Sequence, residues 1–266
     1  MSTPAEEHSK FALHEAAREG RTAVVESLLS VSIQSTIAWD EMSISGPQRI
    51  DDDSRLPIHW AVSYSHLEIV KLLAATKEFD PDVQDGSGWT PLMIAVSLKD
   101  GDELVDLLLR KEADVNTKNF TGQVHSPLPL ILPTPKFQFP LHFLASKKNH
   151  TLAKRLLSHT PPASARVKDK RGQYALHRAA AVGSVPMVEL LVQARSPVSA
   201  ADSAGQTPLH HAIAEGHGDT AVALLKAGAE HDKKDAEGFL PLDLAPDSQV
   251  RKYILKAAEM EGIEVA

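Results

Sequence analysis

The stretch TPLHHA, residues 207–212, decides the fold of this 266-residue chain. Thr207 supplies a side-chain oxygen of the kind that satisfies free amides at a helix N-terminus. Pro208 follows at the first helical position, where its missing N–H costs nothing. Leu209 and Ala212 are three residues apart, so they share one face of the helix. The stretch therefore predicts a short amphipathic helix that begins at Pro208.

A second helix follows in the same unit of sequence. Ala221, Leu224 and Leu225 stand at helical spacing, and Gly228 marks the end of that helix. The residues from Ala229 onward favour a turn. One unit is thus a helical hairpin followed by a β-turn finger, by which we mean the extended turn that leads to the next hairpin.

The same pattern recurs along the chain. Positions equivalent to Leu209 are separated by 45, 34, 49, 35, 33 and 33 residues. Four of these gaps lie close to the period of about 33 residues typical of ankyrin repeats, whose stacking buries one continuous core. We therefore predict an all-α ankyrin-repeat solenoid of about seven helix-turn-helix repeats with β-turn fingers. The equivalent positions are Leu13, Ile58, Leu92, Leu141, Leu176, Leu209 and Leu242.

We expect one ankyrin-repeat domain over residues 1–266, with irregular insertions at 31–49 and 124–138. The first insertion follows a second helix predicted near residues 22–30, and the first and last repeats carry polar residues suited to terminal caps. The predicted repeats lie near residues 9–50, 51–87, 88–120, 121–170, 171–203, 204–236 and 237–266.

The segment at 124–138 interrupts the fourth repeat, and its four prolines exclude a helix or a central strand. Removing its 15 residues joins Gln123 to Phe139 and reduces the gap of 49 residues to 34. The segment begins with a valine, whose codons start GT, and ends with a glutamine, which CAG encodes. It therefore has the form of a retained intron. The alternative is a genuine surface insertion, which solenoids tolerate.

Composition excludes several classes of protein. The chain has no cysteine, which rules out disulfides and thiolate zinc ligands. It shows no signal-peptide pattern and no apolar run that could span a membrane, so we expect a cytoplasmic and nuclear protein. Residues 1–120 carry 11 basic and 21 acidic groups, whereas residues 121–266 carry 17 and 14. This polarity and the net charge of −7 argue against nucleic acid as the ligand and favour a protein partner.

Thirteen histidines raise the question of a metal or catalytic site. Five of them occupy the motif position that His210 holds, where we expect imidazole to bridge backbone groups and the threonine hydroxyl. The group of His210, His211 and His217 has no carboxylate at ligand spacing, and the chain has no phosphate-binding loop, nucleophile elbow or HExxH motif. We therefore expect no metal, no cofactor and no enzymatic activity. The five motif histidines are His14, His59, His142, His177 and His210.

Helical periodicity assigns the residue after each motif histidine, and those three and four positions further on, to a concave groove. Aromatic side chains at such positions anchor protein interfaces because they bury much area with few rotatable bonds. Nearby arginines and lysines are candidate donors to an acidic partner. The alternative is that the aromatic residues pack between repeats and that the charges are merely solvated. The predicted partner-binding residues are Arg55, Trp60, Tyr64, Trp89, Phe143, Lys147, Arg178 and His211.

Several stretches extend the similarity beyond the general repeat. In this order within seven repeats, they resemble the gankyrin family, and particularly its fungal members, over nearly the whole chain outside residues 1–10, 31–49 and 124–138. The resemblance is specific, because the ankyrin consensus does not dictate Trp60, Trp89, Lys147 or Arg178. The stretches are RLPIHWAVS at 55–63, GWTPLMIAVS at 88–97, LHFLASK at 141–147, ALHRAAAVGS at 175–184 and TPLHHAIAEGHGD at 207–219.

The resemblance implies a non-enzymatic chaperone for assembly of the 26S proteasome regulatory particle. Such a chain would be a monomer before binding and would hold the C-terminal domain of one ATPase subunit along its concave face. Arg55 and Lys147 would pair with acidic groups on that domain, with Trp60, Trp89 and Arg178 nearby. The alternative is a general ankyrin-repeat adaptor, or an inhibitor of a kinase or transcription factor, that uses the finger tips and the acidic N-terminal half.

Overall fold

A computed structural model describes residues 11–34, 47–119 and 139–265. The chain divides into two compact units, Met1–Thr134 and Pro135–Ala266. We call them unit 1 and unit 2. The boundary falls within the segment at 124–138, which lies outside the described residues, so its assignment as an insertion or an intron stays a prediction. The expectation of one domain over the whole chain likewise stays a prediction.

The described residues of unit 1, 11–34 and 47–119, form three helical hairpins. The first helices of the hairpins pack against one another in the order α1, α3, α5, and the second helices pack in the order α2, α4, α6. The helices are α1 (Ala12–Glu19), α2 (Thr22–Gln34), α3 (Pro57–Ser63), α4 (Leu67–Leu73), α5 (Pro91–Ser97) and α6 (Asp102–Arg110).

In unit 2, residues 139–265 form four hairpins arranged in two layers of the same kind. Its first layer runs α7, α9, α11 and a 3₁₀ helix, and its second layer runs α8, α10, α12, α13. The helices are α7 (Pro140–Ser146), α8 (His150–Ser158), α9 (Ala175–Ala181), α10 (Val185–Gln193), α11 (Pro208–Ala214), α12 (Gly218–Lys226), the 3₁₀ helix (Pro241–Leu244) and α13 (Ser248–Met260).

The all-α solenoid of ankyrin repeats is confirmed, since the described residues form seven hairpins and no strand. The side chains that set the repeat period lie in the core between layers. Leu13, Ile58, Leu92, Leu141, Leu176 and Leu209 are each at most 4% exposed. In α11 the helix begins at Pro208, and Thr207 caps it by accepting a hydrogen bond from the His210 amide, as the motif predicts.

Two helices differ from the sequence-based expectation. Helix α2 continues to Gln34 rather than ending near residue 30, so residues 31–34 belong to the helix and not to the irregular insertion. The rest of that insertion up to residue 46 lies outside the described residues. In the last repeat, Pro241–Leu244 forms a short 3₁₀ helix, and Leu242 is only half-buried. As the last hairpin, this repeat has no following repeat in the described chain to cover it.

No helix within residues 11–34, 47–119 or 139–265 is both long enough and apolar enough to cross a membrane.

Candidate binding surface

The motif histidines join successive repeats. In His59, His177 and His210, Nδ1 accepts the amide N–H of the residue three positions earlier at 3.0–3.1 Å. The hydrogen atom therefore resides on Nε2, and where Nε2 meets a carbonyl of the following repeat it is the donor. The contacts of this kind are His14 Nε2 to Arg55 O, His59 Nε2 to Val83 O, His142 Nε2 to Gln173 O and His210 Nε2 to Phe239 O, at 3.0–3.3 Å.

Burial lowers the pKa of all five motif histidines. For His177, burial and then the neighbouring imidazole of His211 lower the pKa to about 4. These rings are therefore neutral at physiological pH. His59 and His210 each bridge two backbone groups, whereas the buried Nε2 of His177 has no hydrogen-bond partner among the described residues. The backbone contacts that the sequence predicts for these histidines are present in part, and His210 alone of the five contacts a threonine hydroxyl, that of Thr207.

Each described finger between repeats is organised by one aspartate, and we call these five residues the finger-base aspartates. Their Oδ1 atoms accept the backbone amides two and four residues further on, at 2.8–3.0 Å. Each is at least half-buried, and Asp169 has a fully buried side chain. They are Asp51, Asp85, Asp169, Asp202 and Asp235.

The second oxygen of three finger-base aspartates binds the side chain nine residues further on. Trp60 Nε1 donates to Asp51 Oδ2 at 2.6 Å. Arg178 Nη2 donates to Asp169 Oδ2 at 2.8 Å. His211 Nε2 lies 3.0 Å from Asp202 Oδ2. All three donors are residues that directly follow a motif histidine, so the fold itself already uses their polar atoms.

A second set of bonds reaches from one finger to the next. Arg55 pairs with Asp85 at 3.3 Å in unit 1. In unit 2, Gln173 Nε2 donates to Asp202 at 2.9 Å. Burial by itself raises the pKa of the Asp202 carboxyl, but hydrogen bonds from Gln173, His211 and the turn amides outweigh it and hold the pKa below its ordinary value. The carboxylate is thus ionised and fixes the spacing of adjacent fingers.

Four of the predicted site residues in unit 1 fall into two environments. Trp60 is only 8% exposed and lies between cationic side chains, with the guanidinium carbon of Arg55 4.7 Å from its ring centroid. Tyr64 stacks on Trp60 at 6.3 Å and is 43% exposed. Trp89 is half-buried in the finger before α5, where its amide binds Asp85. Unit 1 therefore brings Arg55, Trp60 and Tyr64 together and presents mainly Tyr64 to solvent.

The predicted residues of unit 2 also differ in exposure. Phe143 is half-buried on α7, and Lys147 is exposed at the C-terminal end of the same helix. The side chains of Arg178 and His211 are 17% and 19% exposed, because each is held against its finger-base aspartate. Lys147 is thus the most accessible of these four residues. No group of three or more His, Asp or Glu side chains in the described residues is arranged to bind a metal ion.

Periodicity missed the finger-base aspartates, although a signal for them is present in the sequence. Asp51 and Asp85 are 34 residues apart, and Asp169, Asp202 and Asp235 follow at intervals of 33. This is the period of the leucines, which we had used only to find helices. Searching the same period for acidic residues would have found them, together with the nine-residue spacing to the donors.

A family model described as ankyrin repeats (3 copies) matches residues 13–119 and 141–235. A "Probable 26S proteasome regulatory subunit p28" of Saccharomyces cerevisiae is 36% identical over 93% of this chain and 98% of its own length. An ankyrin repeat-containing protein of Schizosaccharomyces pombe is 34% identical over 91% of this chain and 97% of its own.

Two solved structures show the same fold. The ankyrin repeat domain of human ASB11 has a TM-score of 0.69 at 21% identity and covers 92% of this chain and 96% of its own. The ankyrin repeat domain of Bcl-3 has a TM-score of 0.70 at 23% identity and covers 91% and 96%. At this level of identity the similarity concerns the fold alone.

Proposed function

We propose a function for this chain, which belongs to the ankyrin-repeat family. The chain is a non-enzymatic binding protein of the proteasome, and it acts as a chaperone in assembly of the regulatory particle. Its partner is the C-terminal domain of one ATPase subunit. Ankyrin repeats bind proteins through the surface of their first helices and fingers, which we call the inner face.

One observation carries this proposal. The relative named as a proteasome regulatory subunit is similar from end to end, covering 93% of this chain and 98% of its own length. A similarity limited to shared repeat consensus would be expected to leave the irregular regions and termini unmatched. Similarity over the full length therefore supports a shared role rather than a shared fold only.

The geometry changes which residues we assign to the partner. Arg55 and Arg178 already bind buried carboxylates, so we assign them to positioning the inner face. The ring of Trp60 stacks on that of Tyr64, so we assign Trp60 to positioning Tyr64. Tyr64 in unit 1 and Lys147 in unit 2 are exposed on first helices or at their ends, and we propose them as direct contacts.

This assignment decides which substitutions can test the proposal. Changing Arg55 to glutamate would place a carboxylate opposite Asp85 and remove the cation beside Trp60, so it would destabilise the fold as well as the surface. The variant Tyr64→Ala with Lys147→Glu changes two exposed residues and leaves the Arg55–Asp85 and Arg178–Asp169 pairs in place.

The experiment is calorimetric titration of the purified chain with the recombinant C-terminal domain of each regulatory-particle ATPase in turn. We expect one domain to bind, and the double variant to weaken binding by at least about tenfold with an unchanged melting temperature. Lys154→Glu, the same charge change on the second helix α8, is the matched control and should bind normally. Failure of every ATPase domain to bind, or equal weakening by Lys154→Glu, would contradict the proposal.

A further inference from the structure

Unit 2 has an apolar groove in its second-helix layer, away from the inner face. It has a volume of about 450 Å³ and lies among α10, α12 and α13. Val188 and Val192 of α10 and Val222 and Ala223 of α12 line its floor. Val192, Val222 and Ala223 are each partly exposed. The groove therefore offers aliphatic surface to solvent at a place where second helices normally present polar residues.

The sequence of α12 explains why the groove is apolar. The fifth residue of the other second helices in the repeats before it is always charged and exposed or half-exposed, whereas α12 has Val222 there. The small Ala223 follows, which leaves a depression beside α10. The charged residues at the corresponding position are Glu26 in α2, Lys71 in α4, Asp106 in α6, Lys154 in α8 and Glu189 in α10.

Tyr253 of α13 closes one side of the groove. Its ring packs over Gly218, where an added Cβ would lie 2.5 Å from the ring, and its hydroxyl donates to Asp219. The side chain is held in place at both ends although 49% of the residue is exposed. This wall is therefore pre-formed, which lowers the entropic cost of binding a partner.

Carboxylates dominate the charge at the rim. Glu189 and Asp219 are exposed at its edge. The one rim lysine, Lys226, is paired with Glu261 at 2.7 Å, so its charge is largely compensated. An apolar floor with an acidic rim is complementary to a partner that carries aliphatic side chains flanked by basic ones.

We propose that this groove binds an amphipathic helix of a partner protein, with aliphatic residues on one face and lysine or arginine beside them. The aliphatic side chains enter between α10 and α12, and the basic groups reach Glu189 and Asp219. Nine residues of helix on each side give the groove a length of roughly 13 Å, enough for anchors spaced at i, i+4 and i+7. This surface goes beyond the proposed function, since it shares no residue with the inner face.

The probe is a synthetic, fluorescently labelled helical peptide of alanine with leucine at i, i+4 and i+7 and lysine on both flanks of the leucine stripe. Fluorescence anisotropy against the full chain measures affinity, and NMR of the labelled chain locates the contact. We expect shifts concentrated at Val192 and Val222. We also expect Val222→Lys to weaken binding by at least about tenfold, because it places a charge on the apolar floor.

Val222→Lys is a conservative change for the fold, because lysine already occupies that position in α4 and α8. An unchanged melting temperature checks this. Lys147→Glu on the inner face is the control and should leave peptide affinity unchanged. A peptide with glutamate in place of lysine should bind at least about tenfold more weakly if the acidic rim contributes. Equal binding of the two peptides, shifts confined to the inner face, or no binding at all would overturn the proposal.

Discussion

The second repeat, in unit 1, and the fifth repeat, in unit 2, each have a finger-base aspartate, but a different type of side chain donates to it in each repeat. Asp51 binds the neutral indole of Trp60, and Asp169 binds the charged guanidinium of Arg178, in each case nine residues further on. The turn amides bind the other carboxylate oxygen identically in both. The comparison shows that the repeat requires a satisfied carboxylate and tolerates several donors to it.

The third repeat extends the comparison to a case without a donor. Ile94 stands nine residues after Asp85, and its aliphatic side chain has no group that could donate a hydrogen bond. Asp85 is instead paired with Arg55 from the preceding finger. Some residues that differ from the repeat consensus therefore pair with a buried carboxylate within the molecule. A difference from the consensus does not by itself identify a partner-binding residue.

The largest effect is expected from a fall in pH, because buried motif histidines occur in both units. The pKa values of the motif histidines are lowered by burial, that of His177 to about 4. Below about pH 6.5 the unfolded chain therefore binds protons that the folded chain does not, and the free energy of unfolding falls as pH falls. We expect a loss of several kcal/mol between about pH 7 and 4.5, measured by urea unfolding, at about 1.4 kcal/mol per unit of pKa difference for each ring.

His210→Met provides the matched control for this experiment. The third repeat already has Met93 at the motif position behind the capping threonine Thr90, as His210 lies behind Thr207. The variant should lose some stability at pH 7, because its bond to Phe239 O is absent. It should show a shallower decline with acid, since one titrating ring is removed. Asp202 and Asp235 have lowered pKa values, so their contributions are lost only in stronger acid. A decline as steep as in the parent would contradict the histidine explanation.

Replacing the second carboxylate oxygen of Asp169 or Asp51 by an amide nitrogen tests this comparison directly. Asp169→Asn keeps an acceptor for the turn amides but leaves the Arg178 guanidinium without its counter-ion, with a side chain only 17% exposed. We expect a loss of about 3 kcal/mol, against about 1 kcal/mol for Asp51→Asn, where the donor is neutral. Urea unfolding of both variants measures the difference. Equal losses would mean that the charge of Arg178 is compensated elsewhere.

A smaller effect is expected from deletion of residues 124–138. His142 Nδ1 is buried and has no hydrogen-bond partner among the described residues, whereas His59, His177 and His210 each accept an amide at this atom. The deletion restores the motif spacing before Phe139, so the Phe139 amide can reach His142. We expect a gain of about 1 kcal/mol in the free energy of unfolding.

Comparing urea midpoints of the parent and the deletion variant checks this expectation, and a lower midpoint for the shorter chain would count against it. Sequencing the mature transcript across Gln123 to Phe139 addresses the origin of the segment separately. A message that retains the segment in all copies would exclude the intron hypothesis.

Much of the fold could be predicted because it depends on local rules. Leu209 and its equivalents other than Leu242 are buried where the period placed them, and Pro208 begins its helix. The errors lie at ends: α2 continues to Gln34, and the last first-layer helix is a short 3₁₀ turn. Helix ends depend on tertiary cover more than on composition, so a pattern of apolar residues places them less well.

The candidate site was less predictable. Periodicity placed Trp60, Arg178 and His211 on the surface of the first helices but could not show that each donates to an aspartate in its own finger. Tyr64 in unit 1 and Lys147 in unit 2 remain exposed, each at the C-terminal end of a first helix. Their role in partner binding stays a prediction that the titrations address.

The sequence by itself determined the repeat, the helix starts and the buried leucines, because these follow from contacts between residues a few positions apart. Only the tertiary structure decided which polar side chains form hydrogen bonds within the molecule. A hydrogen bond between Asp51 and Trp60 requires the finger to fold back over the following helix, and its 2.6 Å contact exists only in three dimensions. Tertiary packing likewise decides that Val222 faces an open groove, whereas other valines, such as Val188, are buried.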